Sequence, residues 1–245
     1  MTKEFIIDGI TYRIITPKDE VEVAHISKAT AIITIPREVT FEEKNYLVTS
    51  IGENAFWNCE KLTSITIPNS ITSIGDNAFW NCRELTSITI PDSVVDIGYR
   101  AFAYCIALTS ITIPDSLTSI EYRTFAHCIS LSFVVMPDSV TIIGDNAFEG
   151  CSSLISITIP AGVTTIGDDA FQNCSSLTSI AIPDGVTEIG NDAFHGCSSL
   201  TAITIPNSVK RIGEGVFKGC HCIIKAQKEL ELETRKPIEC TLIEY

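Results

Sequence analysis

The chain has 245 residues, with 17 basic against 30 acidic side chains and a net charge of −13. That balance argues against a nucleic-acid backbone or an anionic membrane surface as the main partner, and no apolar run is long enough to insert in a bilayer. The start, MTKEFIIDGITYRII, lacks the basic stretch, unbroken apolar core and small-residue cleavage site of an export signal, so the sequence as it stands reads as cytoplasmic.

Taken in chain order, the first element is a hairpin: the apolar-rich runs Phe5-Ile6-Ile7 and Ile10 to Ile14 flank an Asp8-Gly9 turn. It is predicted to cap residues 31–220, so residues 1–30 form an N-terminal cap. A degenerate first repeat follows, from Ile33-Thr34-Ile35-Pro36 to Ile51-Gly52 and Ala55-Phe56, with an insertion over residues 41–46. From there Cys59, Cys82, Cys105, Cys128, Cys151, Cys174, Cys197 and Cys220 recur every 23 residues. Such a fixed period marks a stacked solenoid in which no single repeat can bury its own apolar face.

Within each unit, the alternation in Leu62, Ile65 and Ile67 has the period of a half-buried strand, giving one strand per repeat. The next residue is proline, at Pro68, Pro91 and their equivalents, which lacks an amide donor and ends the ladder. A second apolar pair, such as Ile71 and Ile74, leads to a glycine, then to Ala-Phe and the cysteine. Beyond Cys220 the period dissolves, and residues 221–245 read as a C-terminal cap with a last strand at Ile223-Ile224-Lys225 and a short helix in the charged stretch 228–236.

The pattern C-x-x-L-x-x-I-x-I-P-x-S-V-x-x-I-G-x-x-A-F-x-x resembles the leucine-rich repeat, specifically the BspA-like class, over residues 31–220. Ser70, Ser93, Ser116, Ser139 and Ser208 stand where many such repeats place asparagine, whereas Gly162 and Gly185 lack even the serine. The resemblance implies a right-handed coil, mostly β with short turns or 3-10 segments, and parallel strands on a concave face. It also implies a non-enzymatic role in adhesion and protein binding, with secretion or cell-surface display once a leader has been trimmed away.

The cysteine column admits three readings. Stacked turns hold equivalent Cβ atoms near 4.8 Å, wider than the ~3.8 Å of a disulfide, and chelating C-x-x-C pairs are absent. Reduced thiols packed at the corner of each turn remain, with the pairing of Cys222 and Cys240 left open. No hydrolase or phosphate-binding motif occurs; His127 and His195 sit in different repeats as solvated loop residues, and acidic pairs such as Asp168-Asp169 do not recur regularly enough for a calcium array. The chain is therefore expected to be no enzyme and to need no cofactor or metal.

The strand face is the first candidate surface. Its outward columns run through Ser110, Phe133 and Ser156 and through Thr112, Val135 and Thr158, so Phe133 and Val135 interrupt an otherwise hydroxyl-lined sheet. These six residues are predicted to bind a partner, the two apolar ones as anchors. Tyr99, Arg100, Tyr104, Tyr122 and Arg123 form a second candidate surface on the loop-bearing side. Trp57 and Trp80 stack one turn apart near the N-terminal cap. A protein partner is the leading expectation. The alternatives are a glycan or ice held by the Ser/Thr columns, and a passive spacer about 40 Å long from eight turns at ~4.8 Å. The oligomeric state is expected to be a monomer or a weak end-to-end association.

Overall fold

The computed structural model describes residues 3–15, 18–26, 30–226 and 240–244. It is a β-solenoid of about nine turns with parallel strands, and no helix occurs among the described residues. The charged stretch expected to form a short helix lies outside them.

The cap is larger than a hairpin. Strands β1 (Glu4–Ile7), β2 (Ile10–Ile15) and β3 (Glu20–Ile26) form an antiparallel meander. Asp8 and Gly9 both take positive φ, as a tight two-residue turn requires. After β4 (Ile32–Thr34), the expected insertion proves to be the tip of a second hairpin, β5 (Glu38–Phe41) and β6 (Lys44–Ile51). Phe41 lies flat on Phe5, with ring centroids 4.2 Å apart. Strand β3 then pairs in parallel with β6, which passes the register to the first repeats through Ser73–Ile74 and Asp96–Ile97.

Most regular turns carry two short strands where the sequence reading expects one, and the turn of Ser87–Thr89 keeps only the second, Asp96–Ile97. Besides the three-residue strand, as at Ser64–Thr66, the apolar pair before the glycine forms a two-residue strand, as at Ser73–Ile74. The corner between glycine and cysteine contains no 3-10 segment. Its amides bond three residues back, as Trp57 to Asn54 and Cys59 to Phe56, but left-handed residues such as Asn54 (φ 58°) and Asn58 (φ 59°) interrupt every such turn.

The core is a set of ladders. Phe56, Phe79, Phe102, Phe125, Phe148, Phe171, Phe194 and Phe217 stack with centroids 4.9 to 6.1 Å apart and planes within 14° of each other. Beside them, each column thiol from Cys82 to Cys220 donates to the carbonyl of the phenylalanine one turn back, at 3.1 to 3.2 Å. The cysteines thus fill the corner and also hydrogen-bond it. None of the ten is in a disulfide, and the sulfurs of Cys222 and Cys240 meet as hydrogen-bonded thiols 3.4 Å apart. A serine ladder runs alongside: Ser70, Ser93, Ser116 and Ser139 donate to carbonyls of the preceding turn at 2.5 to 2.6 Å.

Burial raises the pKa of the column thiols from Cys59 to Cys197, pushing Cys128 and Cys174 up to about 12 from the ordinary 9.0. Iodoacetamide at about pH 8 is expected to leave Cys105 to Cys174 unmodified in the native protein and to label them all after unfolding, read by intact mass. Labelling of the folded column would show it to be accessible. Between about pH 9 and 12 the unfolded chain releases thiol protons that the folded chain keeps, so stability is present below that window and falls across it.

The serine ladder offers a second test. A Cβ at Gly162 meets Asp138 O at 3.3 Å and Val140 O at 3.5 Å, whereas one at Gly185 meets Ala161 O at 2.6 Å. Gly162→Ser is therefore expected to extend the ladder onto Val140 O and stabilise by about 1 kcal/mol, and Gly185→Ser to destabilise by about 1–3 kcal/mol. Chemical denaturation midpoints moving the same way in both variants would contradict this packing.

Candidate functional site

Two surfaces depart from the repeat, and the structure brings together the members of each. On the strand face, Val134 points inward while Phe133 and Val135 point out, and Phe133 is 58% exposed. Ser110 and Thr112 lie beside them in register, and Ser156 and Thr158 are exposed on the following turn. The strand ladder itself is interrupted here: Ser110–Thr112 and Phe133–Val135 form a two-stranded sheet, and Ser156–Thr158 begins another.

Ile155, 56% exposed, enlarges the apolar patch and was missed in the sequence. It stands in the column of Thr63, Thr86, Thr109, Ser132, Thr178 and Thr201, whose hydroxyls donate to carbonyls one turn back. Isoleucine has no hydroxyl and forfeits that bond. Its signal was the one that exposed Phe133, a residue out of keeping with its column, but in a column just outside the strand.

The second surface lies at the corner. Two of its columns take positive φ and are filled by Asn, Asp or Gly in most turns. In two consecutive turns they hold Arg100 (φ 55°), Tyr104 (φ 63°), Arg123 (φ 56°) and His127 (φ 59°). A bulky side chain in this region is uncommon and costs on the order of 1–3 kcal/mol, a strain that tends to collect at functional sites. Tyr122 is flanked by both arginines, whose guanidinium carbons lie 5.0 and 5.3 Å from its ring centre. Tyr99 meets Tyr122 edge to face at 6.4 Å.

An aromatic ladder continues from this cluster toward the cap. Trp57 stacks on Trp80 at 5.5 Å, Trp80 meets Tyr104 edge-on at 5.6 Å, and Tyr104 stacks on His127 at 4.6 Å. His127 is therefore a member of the surface, in contact with Glu149 at 3.5 Å, and not an isolated loop residue. Trp57 also borders a cavity shared with His25 and Ile26 of the cap.

The tyrosines explain another irregularity. In other turns an acid or amide side chain accepts the amide one turn on: Asp76 from Tyr99, Asp145 from Asp168, Asp168 from Asn191, and Asn191 from Glu214. Their glycine neighbours fit closely against this arrangement; a Cβ at Gly167 would meet Asp145 N at 2.6 Å. Where Tyr99 replaces the acid, that side-chain bond is missing and Glu121 takes the glycine position. The acidic column is thus engaged in backbone bonding, and among the described residues no cluster of three or more His, Cys, Asp or Glu is placed to hold a metal. No described helix is long and apolar enough to cross a membrane.

Comparisons with known proteins agree with this architecture. The family described as BspA type leucine rich repeat region matches in six copies, over residues 36–155 and 119–234. A leucine-rich repeat protein of T. pallidum is 31% identical, with 81% of this chain and 91% of that one covered and a TM-score of 0.73. A leucine-rich cell surface protein of Faecalibacterium prausnitzii is 24% identical, with coverage of 100% and 95% and a TM-score of 0.51. A leucine-rich repeat protein of Eubacterium ventriosum is 22% identical, with coverage of 92% and 72% and a TM-score of 0.55. The search of curated proteins finds no match. With the repeat matched over most of its length and the solenoid shared with a 31% identical relative, the chain belongs to the BspA-type leucine-rich repeat family.

Proposed function

We propose that this protein is a non-enzymatic interaction and adhesion module whose strand face docks a protein partner through Phe133, Val135 and Ile155. The observation that carries this reading is the exposed apolar residues Phe133, Val135 and Ile155, which stand in three otherwise hydroxyl-bearing columns at and beside the strand. The neighbouring Ser110, Thr112, Ser156 and Thr158 supply a polar rim. Family membership supports the coarse part of the reading, because leucine-rich repeats commonly serve as binding surfaces. The choice of face rests on the patch alone. A rigid sheet loses little entropy on docking, so burying a phenyl ring against a partner is favourable by about 2 kcal/mol.

Phe133→Ser and Ile155→Thr each restore the residue type of their own column and are expected to leave the denaturation midpoint unchanged or raised. Affinity capture with wild type and the double variant side by side is expected to yield a partner whose affinity falls by about 30-fold in the variant. If every captured protein binds both forms equally, the strand face is not the docking surface.

A further inference from the structure

The corner surface has a different chemistry from the strand face and goes beyond the protein-docking reading. Between its two columns runs a groove of about 340 Å³, within the size range of small-ligand sites. One wall is the column Asn54, Asn77, Arg100 and Arg123. The other is made by the indoles of Trp57 and Trp80 with Tyr104, and Ala103 is the sole aliphatic residue between them.

This lining suits a sugar better than a peptide. Planar amide and guanidinium groups bind neighbouring hydroxyls in pairs, and aromatic rings pack on the C–H face of a pyranose. A peptide would want an unpaired strand edge or aliphatic slots, and the corner is built of turns. Asn77 adds a side-chain amide to this lining, with two donors and an acceptor.

Charge narrows the class further. Arg100 and Arg123 both lie close to the Tyr122 ring, and both line the groove, which gives it two cations from neighbouring turns. Arg100 donates to the Tyr122 hydroxyl at 3.5 Å. Arg123 meets Glu149 at 3.4 Å, while its Nε is buried without a partner. In a chain of net charge −13, this pairing of arginines over one ring is complementary to an anion. Four side chains held in left-handed backbone positions maintain the arrangement where asparagine would be easier to accommodate.

We propose that this groove binds an acidic sugar, a pyranose bearing a carboxylate, with the carboxylate against Arg100 and Arg123 and the ring against Trp80 and Tyr104. The chain has two tryptophans, and both line the groove, so intrinsic fluorescence reads its occupancy directly. Trigalacturonic acid and sialyllactose are the acidic probes, methyl-esterified trigalacturonate and lactose their neutral counterparts, and hexaglutamate the peptide control.

At least one acidic saccharide is expected to shift the emission saturably, with its neutral counterpart bound about tenfold or more weakly. Arg100→Asn and Tyr104→Asn install the residue found in neighbouring turns and are each expected to weaken the acidic probe about tenfold, while Phe133→Ser leaves it unchanged. The acidic-against-neutral comparison uses the wild-type protein and stands whatever the variants do to folding. No saturable response to either acidic saccharide, equal affinity for the neutral counterpart, or tighter binding of hexaglutamate would overturn the proposal.

Discussion

Everything in this molecule depends on turn-to-turn hydrogen bonding in constant register. On the strand side, amides donate backward, as Thr72 to Thr49 and Gly75 to Ile51; at the corner they donate forward, as Phe56 to Ala78 and Asn58 to Trp80. Each turn is therefore donor and acceptor toward both neighbours, and an insertion or deletion of one residue would unpair both at once. That constraint forces the strict period, which in turn places like side chains over like. The phenylalanine spine and the thiol, serine and threonine ladders all follow from it.

The register also limits what hydroxyls can be said to do. Threonine and serine columns invite a reading as water- or sugar-ordering arrays, but four of them bond carbonyls of the preceding turn and act as side-chain rungs. The columns flanking the strand isoleucines project outward, and Phe133, Val135, Ala181 and Ala202 break them. A thermal or ligand argument from hydroxyl count alone would have conflated internal bonding with surface chemistry.

The fold was legible in the sequence because periodicity is a long-range signal written locally: once Cys59 and Cys82 are aligned, every other residue has a column. The two-residue strands were not, since Ser73–Ile74 is too short to alternate and is defined by pairing with Ser50–Ile51 and Asp96–Ile97 one turn away on either side. The cap was legible at its Asp8-Gly9 turn but not in its parallel join of β3 to β6, a contact between segments with no common pattern. Of the surfaces, Phe133 and the Tyr-Arg pairs stood out as breaks in their columns. Ile155 and His127 were overlooked because one lies outside the strand and the other falls among residues that loops ordinarily expose.

Both surfaces fall on turns where the ladders are weakest, and this follows from the same physics. The two-residue strands lose their pairing between Asp96–Ile97 and Ser119–Ile120, where Tyr99 has displaced the acid that would bond the next turn. The three-residue strands lose theirs twice, at Ser87–Thr89, which forms no strand, and between Phe133–Val135 and Ser156–Thr158, where Ile155 has displaced a ladder hydroxyl. A side chain that serves the repeat points its polar atoms at the neighbouring turn and has none left for a partner. Recognition therefore requires residues that withdraw from the ladder, and the array tolerates them because the phenylalanine stack runs unbroken beneath both sites, with Phe102, Phe125 and Phe148 separated by the same 5.5 Å. Stability in a solenoid is a sum over neighbouring interfaces, so the loss stays local to those turns and the rest of the coil holds the two surfaces in place.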